Sequence, residues 1–368
     1  MRTLSGSIQF AVLPLLVCAA ACGRDTVAPE PAVAVSARAP AAREDGDGSA
    51  AGSVVTFEAF ALGAINGQSD WRSLGGLLPP VAGVPCASYD HAVADYAAVA
   101  PTSVRDRDLG HRGLRLSNAV TSGCYSDQTF SARTTNVGGQ TGARWSVLDF
   151  ALPDAALQNH FEAEWTFVST VPNAPQPGLE VVASPARGDD SRMGWVQMAD
   201  LSDGLAVVFA EWSPAGSLAS ATIVRSIVAR GLDRRMAHTI KLTMDFVDGP
   251  GNDVVRVYVD GPLRHTGTSW ESYYDLRGIA PPAVNRLMFR TGSDLLRGVP
   301  GDPAPATLGH GFMIDNLRQA TFMVATSVDA CKDGGWRGLR DANGTPFDNQ
   351  GECVSWVRHA QRSDDHER

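Results

Sequence analysis

Apolar and polar side chains alternate one for one along several stretches of this chain. In Phe161–Phe167, the residues Phe161, Ala163, Trp165 and Phe167 fall on one side and Glu162, Glu164 and Thr166 on the other. In His238–Phe246, Ile240, Leu242, Met244 and Phe246 oppose Lys241, Thr243 and Asp245. A period of two marks a strand, because successive Cβ atoms point to opposite faces of a sheet. The same reading predicts strands at Val54–Phe60, Leu114–Ala119, Leu179–Ser184, Trp195–Met198, Leu205–Trp212, Thr222–Val228, Val254–Val259, Asn285–Arg290 and Gly311–Val324. Turn residues separate them, among them the run Asp248–Asp253 and the pair Asp260-Gly261. Helical spacing is scarce, and only His91–Val99 and Asp154–Asn159 read as short turns of helix. Many short alternating strands predict an all-β fold, an antiparallel β-sandwich of the jelly-roll kind.

The first 52 residues follow another pattern. Arg2 precedes an apolar run from Ile8 to Ala21 that ends in three alanines, the layout of an export signal over residues 1–21. The run is too short to span a bilayer comfortably. Cys22-Gly23 behind those alanines resembles a bacterial lipoprotein signal, with Ala19 where that pattern usually has Leu. The resemblance implies lipidation at Cys22, and ordinary cleavage with release as a soluble secreted protein is the alternative. Residues 22–52 are rich in Ala, Pro and small polar residues without either period, which predicts a disordered tether. The body is expected over 53–325, with a small module at 326–360.

The 368 residues are 44% hydrophobic and 19% charged, enough to bury a core. The net charge of −9 would become −10 on loss of a leader whose only charge is Arg2. That balance argues against nucleic acid as a partner, because phosphate backbones are held by clustered Lys and Arg. Acidic sugars are disfavoured less strongly, since a local basic patch can exist on an acidic chain. Of six cysteines, Cys18 lies in the leader and Cys22 at its end. Cys86, Cys124, Cys331 and Cys353 allow three pairings, and closeness in sequence favours Cys86–Cys124 and Cys331–Cys353.

Two segments, Val54–Trp71 and Gly311–Phe322, resemble the first and last strands of concanavalin-like or laminin-G-like jelly-roll domains. Leu232–Tyr274 is similar to a run in exported bacterial proteins without an assigned activity, and Cys331–Val357 resembles a short two-cysteine module at the ends of bacterial surface proteins. The resemblance implies a concanavalin-like sandwich whose first and last strands are neighbours. It also implies a structural Ca²⁺ near Glu58 and Asp315, for which hard carboxylate oxygens are suited; an edge pair with ordinary hydrogen bonds is the alternative.

Trp270, Tyr273 and Tyr274 cluster beside Glu271. Aromatic rings with a neighbouring carboxylate suit a sugar, whose faces stack and whose hydroxyls donate; equally, such rings cover the end of a core. Glu162 and Glu164 share a strand face, but no third carboxylate follows as in jelly-roll glycosidases, and a solvated face accounts for them. The histidines show no metal-binding spacing, and neither a nucleophile elbow nor a phosphate-binding glycine loop occurs. These features lead to an expected non-catalytic surface protein that binds a glycan or another envelope component. A polysaccharide lyase or hydrolase, whose residues converge only in space, and a structural envelope protein are the alternatives. The oligomeric state is not legible.

Overall fold

The computed structural model describes residues 54–74, 90–99, 109–117, 128–143, 155–188, 191–212, 223–291 and 310–366. The proposed leader, the tether, Cys22, Cys86 and Cys124 lie outside them.

In chain order the strands are β1 (Arg72–Leu74), β2 (Asp90–Asp95), β3 (Arg112–Ser117), β4 (Gln128–Phe130), β5 (Val137–Gly138) and β6 (Leu157–Gln158). There follow β7 (His160–Ser169), β8 (Glu180–Ala186), β9 (Trp195–Leu201), β10 (Gly204–Trp212), β11 (Ile223–Leu232) and β12 (His238–Asp245). The last are β13 (Val254–Val259), β14 (Leu263–Gly267), β15 (Arg286–Arg290), β16 (Phe312–Val324) and β17 (Leu339–Arg340). Helical pieces are α1 (Tyr96–Val99), α2 (Glu271–Leu276) and α3 (Gln350–His366).

Two large sheets result. One runs β1-β4-β15-β8-β9-β10-β11, the other β14-β13-β12-β7-β16-β3-β2 with β17 added to β16. Neighbours in both are antiparallel, except the β16–β17 pair. The fold is an antiparallel β-sandwich of the jelly-roll kind. Its core is filled by the inward half of each alternating strand. Phe161, Ala163, Trp165 and Phe167 of β7 are at most 1% exposed, and Ile240, Leu242 and Met244 of β12 register beside them. From the other sheet Met198 accepts the Trp165 indole N–H at 3.4 Å, and Phe289 meets the same ring edge-on at 6.2 Å. Burial of such apolar area is the main favourable term in folding.

Three local readings are corrected. Val54–Phe60 is not a strand: Val55 bridges Leu317 of β16, so the first and last segments are neighbours as expected, but the chain then turns. Phe57 and Phe60 are three apart, and a strand would send them to opposite faces. The turn, with Phe57 at φ 57°, buries both against Trp71 at 5.3 and 6.4 Å. His91–Asp95 is strand because His91 and Val93 alternate into the interior, leaving only Tyr96–Val99 helical. The described part of Asp154–Asn159 holds β6, parallel to β5, rather than helix.

The tail is a small unit on the end of β16. β17 pairs in parallel with Met323 and Val324, and a cluster of Ala325, Leu339, Phe347 and Val357 surrounds the Cys331–Cys353 disulfide. The bridge has a Cα–Cα distance of 5.8 Å and spans 22 residues. Closing a loop of that length in the unfolded chain is worth about 3 kcal/mol. Cys331→Ala with Cys353→Ala is therefore expected to loosen the tail first. Hydrogen exchange would show amides of Leu339–Val357 losing protection while those of β7 and β12 keep it; uniform loss would contradict a local role.

Candidate functional site

Register fixes which side chains of the seven-stranded sheet face away from the core. On β15, Leu287 and Phe289 are inward, so Arg286, Met288 and Arg290 face outward. On β9, Val196 and Met198 are inward, so Trp195 and Gln197 face outward, and Ser184 of β8 sits beside them. On β10 the outward set is Val208, Ala210 and Trp212; Arg225 of β11 lies opposite Ala210, with its guanidinium 5.9 Å from the Trp195 ring. At the far edge Gln128 pairs with Arg290, and Arg72 lies 5.4 Å over Phe130.

This outward face is more buried and more polar than a solvated sheet. Gln128, Ser184, Arg286 and Arg290 are at most 2% exposed. Three polar atoms on the adjoining β8 and β9, the Ser184 hydroxyl, Gln197 Oε1 and Trp195 Nε1, are buried without a hydrogen-bond partner. The Trp212 indole N–H at the end of β10 is a fourth. Leaving such a group unpaired costs about 1–3 kcal/mol.

The predicted aromatic residues lie at one end of this face, in two layers. Trp270 and Tyr274 are 7% and 6% exposed and pack in the core. Trp270 Nε1 donates to the Ala210 carbonyl at 3.0 Å, and the Tyr274 hydroxyl donates to the Arg192 carbonyl at 2.9 Å. They are supports rather than an open platform. Tyr273 is half-buried, and its outer neighbour is Trp212, a residue that sequence reasoning missed; their ring centroids are 4.7 Å apart. Trp195 lies 5.1 Å from Trp270, and Arg277 caps Tyr273 at 4.7 Å. The missed signal was the parity of Trp195 and Trp212, which alternate with buried Val196 and Phe209 across one hairpin.

Glu271 turns away from those rings. It is 2% exposed, accepting the Asp253 N–H at 2.9 Å and a hydrogen bond from the Gln140 amide. Burial raises its pKa, the nearby Asp253 charge adding to the rise, and burial likewise raises that of Asp253.

Glu162 and Glu164 face outward from the eight-stranded sheet, where Glu162 pairs with Lys241 at 2.9 Å. Arg286 and Arg290 face outward from the other sheet, so these four do not converge on one cleft.

Glu58 is brought close enough to Asp315 for its charge to act there. Asp315 is 1% exposed; burial pushes its pKa up to about 7, with the Glu58 charge adding to the rise. It accepts the Asn316 N–H at 2.7 Å and the Tyr96 hydroxyl at 3.2 Å, while Glu58 Oε1 accepts the N–H groups of His111 and Arg112 at 2.5 and 2.9 Å. Two near carboxylates fit a hard cation, but among the described residues no three His, Cys, Asp or Glu are grouped to hold a metal. Backbone carbonyls and water would have to complete a calcium shell of 6–8 oxygens.

No family model matches this chain, and no curated protein matches it. Among solved structures it is similar to an endo-1,3-β-glucanase from Streptomyces sioyaensis, at 15% identity over 76% of this chain and 99% of that one, with a TM-score of 0.41. It is also similar to the endo-β-1,4-glucuronan lyase of the fungus Trichoderma reesei, at 10% identity over 66% and 92%, TM-score 0.34. A third is a glycoside hydrolase family 16 endo-glucanase from Bacteroides ovatus, at 12% identity over 68% and 93%, TM-score 0.34. Identities this low carry no residue's role across.

Proposed function

We propose that this is an exported cell-envelope protein, anchored by lipid at Cys22, that binds glycans on the outward face of its seven-stranded sheet without turning them over. The observation that carries the reading is the set of buried, unpartnered polar atoms at Ser184, Trp195 and Gln197 on adjoining strands. Beside them Trp212 and Tyr273 are half-buried at one end of the same face. Sugar rings offer both matching features, hydroxyls for the polar atoms and C–H faces for the rings. Calcium between Glu58 and Asp315 belongs to the same reading as a structural ion, on the opposite sheet. For the tether and anchor the support is the sequence of residues 1–52; among the described residues no helix is long and apolar enough to cross a membrane.

The test is an oligosaccharide array probed with the full chain, followed by product analysis of every hit. Trp212→Ala is expected to weaken binding roughly tenfold, the loss of one good aromatic contact, with unchanged circular dichroism. Shortened or unsaturated products would replace the binding reading by an enzymatic one. Silence across the array would leave a structural envelope role.

A further inference from the structure

Beside α2 lies a cavity of about 340 Å³. Its wall combines the acidic residues Glu271 and Asp275 with the apolar Pro250, Ile279 and Pro281, and no lysine or arginine lines it among the described residues. The volume admits one sugar ring, at the small end of the range for ligand sites.

The acidic side is unusual in how it is held. Glu271 and Asp253 are 2% and 3% exposed, and both receive a hydrogen bond from the same Gln140 amide nitrogen, that to Asp253 at 3.1 Å. Asp253 also accepts the Val247 N–H at 2.9 Å and the Ser269 hydroxyl at 2.5 Å. Every one of these donors is neutral, and among the described residues neither carboxylate has a cationic partner. Buried carboxylates are ordinarily paired with a cation or a metal. Here burial works against ionisation of both groups, repulsion from Asp253 adding at Glu271 and from Asp245 at Asp253, and a cation entering the cavity would relieve that. Both Glu271 oxygens already accept N–H donors, and no cluster of three metal-ligating residues exists among the described residues. An ammonium group needs no such shell, because it donates to the remaining lone pairs.

We propose that this cavity takes an amino sugar, its free ammonium group against Glu271 and Asp275 and its carbon face against Ile279, Pro250 and Pro281. The assignment rests on the glycan reading and names the kind of glycan. Helix α2 then serves both sites, its aromatic residues at the sheet face and its carboxylates at the cavity.

Calorimetric titration of the full chain with oligomers of glucosamine, N-acetylglucosamine and glucose near pH 6 tests it. Glucosamine oligomers are expected to bind about tenfold tighter than their N-acetylated counterparts, the worth of one charge-assisted hydrogen bond. Asp275→Asn, an exposed change that leaves the core alone, should shrink that advantage, and Glu271→Gln should abolish it. Trp212→Ala should weaken all oligomers alike. Equal binding of free and acetylated oligomers would overturn the amino-sugar site and leave the glycan reading standing. Failure of every oligomer to bind would remove both. Spermidine binding as tightly as the glucosamine oligomer would replace the sugar by any small amine.

Discussion

Gly311→Ala is expected to unfold the start of β16 and to lower stability by about 4 kcal/mol or more, at the upper end for single substitutions. Gly311 has φ +126°, a conformation that L side chains rarely adopt. A Cβ there would lie 2.1 Å from the Leu116 carbonyl oxygen and 3.0 Å from the Ser117 Cα, which are backbone atoms of β3 and cannot swing aside. Backing away would break the bond from its N–H to Gln176 Oε1 at 2.8 Å. It would also break those its carbonyl accepts from the Thr170 N–H, the Thr170 hydroxyl and the Gln176 amide at 3.0–3.1 Å. Gly278→Ala is the control: φ is +65° and nothing lies within 4 Å of the added methyl. It should cost only about 1–2 kcal/mol of backbone strain. Urea unfolding of the two variants checks this. A Gly311→Ala protein as stable as Gly278→Ala would mean that β3 yields more easily than a packed strand should.

The second large effect concerns Asp315. Its folded pKa of about 7 stands above the ordinary 3.8, because burial disfavours the charge and Glu58 adds to the rise. The folded state therefore holds its proton where the unfolded chain has lost it. Stability is undiminished below about pH 4, falls as pH rises toward 7, and is lower above that by at most about 4 kcal/mol. Asp315→Asn removes this titration and keeps an acceptor for the Asn316 N–H. In chelator, the variant should melt higher than the parent at pH 8 and level with it at pH 4. Asp200, Asp253 and Glu271 are raised in the same sense, so the parent's slope exceeds that from Asp315, and the difference between the two proteins isolates it. Calcium should raise the melting temperature of the parent at pH 8 and leave the variant unmoved. Parallel pH profiles would refute the buried charge, and indifference of the parent to calcium would refute the ion.

The sandwich was legible because alternation is a direct consequence of strand geometry, and β7, β12 and β13 carry it, whereas β16 breaks it at the bulge between Asp315 and Arg318. The N-terminal segment misled because Phe57 and Phe60, separated by three, obey neither strand parity nor helix length; long-range packing on Trp71 decided their conformation. Helix α3 was missed although its signal was present: Asn349 accepts the Glu352 N–H at 3.0 Å, and the Glu352 carboxylate turns back to the Asp348 N–H. At the candidate site, local spacing found Tyr273 and its supports but not Trp212, Ser184 or Gln197. Those come from three strands, and only register brings them to one face. Glu271 looked like a companion to the aromatic rings, whereas helical rotation over one short turn sends it to a separate cavity.

Strand β16 meets the chain's entry at one point and its exit at another. Val55 exchanges two backbone hydrogen bonds with Leu317, at 2.8 and 3.0 Å, and β17 attaches at Met323 and Val324. A pull applied at the amino-terminal end therefore loads that single pair of bonds before any ladder of either sheet. Once they part, the load passes to the bonds that Glu58 accepts from His111 and Arg112, to the buried Phe57 and to the Gly63–Val93 bridge, while both sheets stay closed. A protein tugged from that end would meet the Leu317 pair first, a mechanical fuse ahead of its core.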